Sequence, residues 1–299
     1  MLKFVFSLII SFSSTAQTMT ETRFSSGDFP PNEKTKQNYY LEFNDDFEKD
    51  SINLQNWIPY YLPQWSSRKM SKPNFNISEG NLILQIAKDQ KPWCPEFNNE
   101  VKCSSIQTGI FAGPLGSNIG QHKFFNPSKC VVREEQINQQ TYLPLYGYFE
   151  IRAKALNSAS NVVSLWMIGY EDQPEKSGEL CVFEIKGASV SKNYATVGYG
   201  IHKFNDPLLK EEFYEDVFNL DVTSFHTYAA EWLPDKIIFY IDNQKIREIK
   251  QSPNYPMQFM LGIYELPNEK NKKQDNMYPK NFIIDYVRGY KRRSDRLSK

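Results

Sequence analysis

From Tyr39 to Tyr290 the chain never sustains a helical period. Its apolar residues come in short continuous or alternating runs of roughly five to ten residues, broken by Gly, Pro, Asn and Asp. Runs of that length suit strands, whose side chains alternate between two faces. The pattern predicts strands at Tyr40–Asn44, Asn81–Ala87, Ser104–Phe111, Gly147–Ala155, Val162–Tyr170, Glu179–Ile185, Thr196–His202, His226–Trp232, Ile237–Asp242, Lys245–Lys250, Met257–Tyr264 and Asn281–Tyr290. Asp242-Asn243, between two such runs, marks a tight hairpin. A short helix is expected only within Asp206–Asn219. Many short strands with regular turn signals predict an all-β sandwich or barrel. Neither an internal repeat nor an interdomain linker interrupts it.

Composition narrows the function classes. The 299 residues carry 35 Lys+Arg and 35 Asp+Glu, a formal net charge of zero. Nucleic-acid binders and polybasic membrane-surface proteins show a basic excess, so neither partner is expected. Aromatic residues make up 15% of the chain. Tyr and Phe favour strands, and exposed Tyr and Trp suit flat ligands with apolar faces.

Residues 1–16, MLKFVFSLIISFSSTA, join a lysine, a short apolar run and a small-residue end. They read as a signal peptide, with secretion or periplasmic export the expectation. Residues 17–38 read as a flexible linker, 39–291 as the domain, with Asn268–Asn276 a charged loop, and 292–299 as a basic tail. Four cysteines, Cys94, Cys103, Cys130 and Cys181, allow three pairings. In an oxidising compartment a small-loop Cys94–Cys103 disulfide is an expectation, with Cys181 a free thiol.

One strand breaks the apolar pattern. In Ser177-Gly178-Glu179-Leu180-Cys181-Val182-Phe183-Glu184-Ile185-Lys186-Gly187, a regular strand puts Glu179 and Cys181 on one face and Glu184 on the other. One extra residue between Cys181 and Glu184, a β-bulge, returns Glu184 to the face of Glu179. Two carboxylates flanking one bond are the equipment of glycoside hydrolysis. Spacing by itself favours two solvent-facing glutamates on an edge strand, since Glu-x-x-x-x-Glu is common.

The segment resembles the active-site strand of glycoside hydrolase family 16, whose bulged, laminarinase-like pattern is Glu-x-Asp-x-x-Glu. Other pieces resemble the family in family order: Phe43-Asn44-Asp45-Asp46-Phe47 with Trp57, Gly147-Tyr148-Phe149-Glu150-Ile151-Arg152-Ala153-Lys154, Leu165-Trp166-Met167-Ile168-Gly169, Phe225 to Trp232 followed by Tyr240-Ile241-Asp242-Asn243, and Ile283 to Arg288. The resemblance implies a β-jelly-roll sandwich of two curved antiparallel sheets (concanavalin A-like), with a sugar cleft on the concave face. It implies a monomeric glycosidase acting with retention on a β-linked polysaccharide, a β-1,3- or β-1,3-1,4-glucan first. A catalytically weak carbohydrate-binding protein, a transglycosylase and a structural cell-surface sandwich are the rivals.

Residue by residue, Glu179 takes the family's nucleophile position and Glu184 its acid/base position. Cys181 departs from the usual Asp. A neutral thiol is a weak donor and removes a negative charge beside Glu179. Trp166 is expected to stack on sugar. His202 is expected to flank Glu184 and touch it or a sugar hydroxyl. Trp65 and Trp93 are candidate extensions of the cleft, while Trp57, Trp232 and His226 read as structural. No cofactor is implied as required. Many members hold a structural Ca2+, and here Asp285 with the Gly80 carbonyl would supply ligands. Asn76-Ile77-Ser78 is a glycosylation sequon.

Overall fold

The computed structural model describes residues 24, 27–267 and 277–293. The strands in chain order are β1 (Tyr39–Asp45), β2 (Asn74–Ser78), β3 (Asn81–Ile86), β4 (Lys102–Gln107), β5 (Gly109–Ile110), β6 (Gln139–Gln140), β7 (Gly147–Lys154), β8 (Asn161–Gly169), β9 (Glu179–Lys186), β10 (Ala195–His202), β11 (Glu212–Phe218), β12 (His226–Trp232), β13 (Ile237–Ile241), β14 (Gln244–Ile249), β15 (Met257–Glu265) and β16 (Lys280–Arg292). One sheet runs β14-β13-β12-β7-β16-β3-β2, with β1 also paired to β16; the other runs β11-β10-β9-β8-β15-β4. All of their pairings are antiparallel.

Alternation builds the core between the sheets. Phe149 and Ile151 of β7, Leu165 and Met167 of β8, Phe259 and Leu261 of β15, and Trp57 and Trp232 all sit in it, buried. The hairpin at Asp242-Asn243 forms as expected: φ is 48° and 63°, the left-handed pair that a two-residue turn between twisted strands requires. Asp242 also accepts from His226 Nδ1 at 2.7 Å, and His226 Nε2 lies 3.1 Å from the Asp221 carbonyl. His226 is therefore a buried tie between strands.

The structure revises several expectations. Asp206–Asn219 contains β11 in place of a helix. Phe213 packs on the outer aromatic cluster and Tyr214 on the main core, a period of two, and β10 satisfies the backbone. Thr108 divides the run Ser104–Phe111 between β4 and β5. Residues 28–38 form a strap rather than a flexible linker. The Phe29 N–H donates to Phe225 at 2.7 Å, and the Phe29 carbonyl accepts from Arg152 Nε at 2.8 Å. Arg288 Nη1 donates to the Asn32 carbonyl at 2.7 Å, and Asn32 Nδ2 to Glu150 at 3.0 Å. Charged residues on the outer face of the eight-stranded sheet need such partners when covered. The expected signal peptide, the loop Asn268–Asn276 and residues 294–299 lie outside the described residues.

Candidate active site

The bulge lies where the family resemblance expects it. Against β8, Leu165 pairs with Phe183 and Trp166 with Cys181, so Val182 is the extra residue. Against β10, Gly198 faces Glu184 and Gly200 faces Cys181, the same shift seen from the other side. Val182 and Phe183 consequently both enter the core with Leu180 and Ile185. Glu179, Cys181, Glu184 and Lys186 are left on the concave face. Gly200 accommodates the irregularity at φ 139°, and a Cβ there would meet the Glu212 carbonyl at 2.4 Å.

Both carboxyls are pushed toward their neutral forms. Burial raises Glu179 to about 8, helped by the charges of Glu184 and Glu211 and opposed by His202. Burial also raises Glu184, with Lys186 and His202 opposing and Glu215 adding to the rise. Cys181 is a buried free thiol, pushed well up by burial and then by the two glutamates. A neutral sulfur hydrogen therefore stands between the two acids.

His202 is brought to the site, but not to the expected neighbour. It lies opposite Glu179, while Gly198 lies opposite Glu184. Its Nδ1 is paired to the Glu211 carboxylate and its ring stacks on Phe213 at 4.3 Å. Burial alone would lower its pKa; the Glu211 hydrogen bond and the charge of Glu179 reverse the sign and raise it. Trp166 is on the concave face next to Cys181, 5% exposed, with Nε1 3.4 Å from the Tyr264 hydroxyl and the His122 ring 5.2 Å away. Little of the indole is open to a ligand.

Trp65 and Trp93 do not extend an open cleft. Both are 0% exposed, packed with Tyr61, Phe97, Met260 and Tyr264 over the outer face of β15 and β4. All four cysteines are free and buried, so the Cys94–Cys103 bridge is not made. The Cys94 sulfur donates instead to the Trp65 carbonyl at 3.0 Å.

The calcium expectation does not fit the residues present. Asp285 is already paired with a cation, Arg152 Nη1 at 2.6 Å. Gly80, at φ 69°, serves the β2–β3 turn with Glu79 at φ 53°. Among the described residues no group of three His, Cys, Asp or Glu is arranged to hold a metal.

The apolar pattern and the family resemblance do not single out Lys186, Glu211, Phe213 or Glu215. Lys186 was findable, since alternation past the bulge puts it on the face of Glu184. Phe213 and Glu215 depended on recognising β11, and Glu211 on the residue just before it, with alternation the available signal.

With bulge, register and paired acids in place, the comparisons give the class. The model of glycosyl hydrolases family 16 matches residues 135–287, just over half the chain, and the chain belongs to that family. A beta-glucanase of Bacillus amyloliquefaciens is 29% identical over 134 residues, 44% of this chain and 51% of that protein. A beta-glucanase of Acetivibrio thermocellus is 28% identical over 124 residues, 40% of this chain and 34% of that protein. The matches span a third to a half of these relatives. Among solved structures, a GlcNAcα1-4Gal releasing endo-β-galactosidase from Clostridium perfringens aligns with a TM-score of 0.76 and 29% identity, over 90% of this chain and 66% of that one. A laminarinase from Flavobacterium sp. UMI-01 aligns with a TM-score of 0.57 and 17% identity, over 84% of this chain and all of that one. The fold is the all-β jelly-roll sandwich that the motifs imply.

Proposed function

We propose that this chain is a secreted retaining endo-glycosidase that cleaves a β-linked polysaccharide. The observation that carries the reading is the bulge at Val182, which puts Glu179 and Glu184 on one face of β9. In the first step a Glu179 oxygen bonds to the anomeric carbon as the glycosidic C–O bond breaks, and Glu184 gives its proton to the departing oxygen. In the second step Glu184, now a carboxylate, takes a proton from water. The water oxygen attacks the anomeric carbon and Glu179 leaves. No metal or cofactor has a part in these steps. The secretion proposal rests on residues 1–16, and a monomer is the proposed state.

A β-1,3- or β-1,3-1,4-glucan is the first substrate, by likeness to the beta-glucanases. One observation favours a second, a β-galactoside: the likeness to the Clostridium perfringens enzyme extends over 90% of the chain. Reducing-sugar release should be measured on laminarin, mixed-linkage β-glucan and galactose-containing glycans, with Glu179→Gln and Glu184→Gln alongside. Glu184→Gln should lose about 10²- to 10⁴-fold, and Glu179→Gln should release nothing. Release by Glu179→Gln equal to the wild type would sink the assignment. Glycan binding without release by the wild type would leave a carbohydrate-binding protein. Product analysis at high acceptor concentration separates hydrolysis from transglycosylation.

A further inference from the structure

We infer that Lys186 is a positioning residue for Glu184, held in place by Glu215, and that this pair sets the pH at which Glu184 gives up its proton. The inference rests on the acid/base reading of Glu184.

The geometry is a chain of three charges across two elements. Lys186 Nζ lies 2.6 Å from Glu215 Oε1 and 3.7 Å from Glu184 Oε1. The shorter contact is a charge-assisted hydrogen bond; the longer is an ion-pair distance. Glu184 Oε1 is buried and accepts no hydrogen bond. Lys186 is two residues beyond Glu184 in β9, so alternation returns its side chain to the same face. Glu215 lies on β11, where its backbone pairs with Gly198, the residue that faces Glu184 from β10. No side chain at Gly198 separates the glutamate on β11 from the glutamate on β9.

The groups acting on Glu184 are few. On its own strand they are Glu179, the neutral thiol of Cys181 and Lys186. From β10 comes His202, from β11 Glu215, and from β8 the uncharged Ser164 opposite. With a thiol at 181, the ionic neighbour that touches Glu184 is a cation, and it favours the carboxylate. Glu215 divides that cation's attention and works in the opposite sense.

Opposite signs make the test. The measurement is kcat/KM against pH on the panel polysaccharide that the wild type cleaves best, for Lys186→Met, Lys186→Arg and Glu215→Gln. Glu184 must carry its proton to act, so activity falls as pH rises through its ionisation. Lys186→Met leaves Glu184 protonated to higher pH and should move the alkaline limb up by about one unit. Lys186→Arg should return it, and Glu215→Gln should move it down. An alkaline limb unmoved in both Lys186→Met and Glu215→Gln overturns the inference while leaving the glycosidase reading intact. If the wild type cleaves nothing, the functional reading falls. The inference is then decided by NMR titration of 13C-labelled glutamate side chains in the same variants, where an unshifted Glu184 midpoint overturns it.

Discussion

The concave sheet has two unlike halves, with β9 as the seam. On the β8-β15-β4 side, loops cover the sheet with Tyr61, Trp65, Trp93 and Phe97, and Met260, Gln258 and Gln107 beneath are 0% exposed. On the β10-β11 side the face carries His202, Glu211, Phe213 and Glu215, and the last three are half-buried or exposed. The first half buries aromatic area and the second presents charge. The two glutamates stand between a wall that excludes water and an edge that admits it. That arrangement explains why both carboxyls are raised by burial while Glu179 still feels His202 and Glu211, and Glu184 feels Lys186, His202 and Glu215.

The largest expected effect separates the halves by stability. Trp65 is 0% exposed, stacks on Phe97 at 6.4 Å and donates from Nε1 to the Gln121 carbonyl at 2.7 Å. Trp65→Ala should cost about 3–5 kcal/mol through the cavity and the orphaned carbonyl. Phe213→Ala, on the open half, should cost under about 1.5 kcal/mol and act on KM instead, by freeing the His202 ring. Urea unfolding of both variants checks the comparison. Equal losses would show that the open half is packed as firmly as the covered one.

This division also explains what the sequence disclosed. Strands that bury one face wrote their period into the chain, so eleven of the twelve expected strands are present as single strands and the other, Ser104–Phe111, is divided. The bulge was legible only through the family resemblance, because spacing by itself left Glu184 free to face solvent. The halves of the concave sheet were not legible, because cover comes from loops remote in sequence: Tyr61 and Trp65 meet Trp93 and Phe97 only in three dimensions. His202 was assigned the wrong neighbour because the bulge displaces the register between β9 and β10, and propensity does not encode register. The N-terminal strap failed for a related reason. Its polar composition reads as linker, and its partners Arg152 and Arg288 lie more than a hundred residues away.

A smaller effect concerns the seam itself. Glu179 is raised from 4.5 to about 8 in the folded chain. Protonation therefore favours the fold: the stabilisation is complete below the unfolded value and is lost as pH rises through the folded one. Glu179→Gln removes that titration. It should melt close to the wild type at pH 5 and several degrees higher at pH 8, with the gap widening between, to on the order of 4 kcal/mol. Thermal melts across that range check it, with no substrate needed. A gap independent of pH would mean that Glu179 is solvated, and that the covered half does not reach it.

The smallest effect tests the thiol. Cys181 lies on the face of both glutamates, and its own ionisation is suppressed by burial and then by them. Cys181→Asp changes volume little but puts a third carboxyl into the seam. Once ionised, that added carboxylate opposes the charge on Glu179, which as the proposed nucleophile must be a carboxylate to attack. The acidic limb of kcat/KM should then move to higher pH, by about one unit for a like charge at this range. Cys181→Ser keeps a neutral group and should leave the limb in place. The pair of variants separates charge from shape: a limb that moves only in Cys181→Asp shows that the carboxylate at 179 senses position 181 directly. A limb unchanged in both would mean that Glu179 takes its environment from His202 and Glu211 on the open half alone.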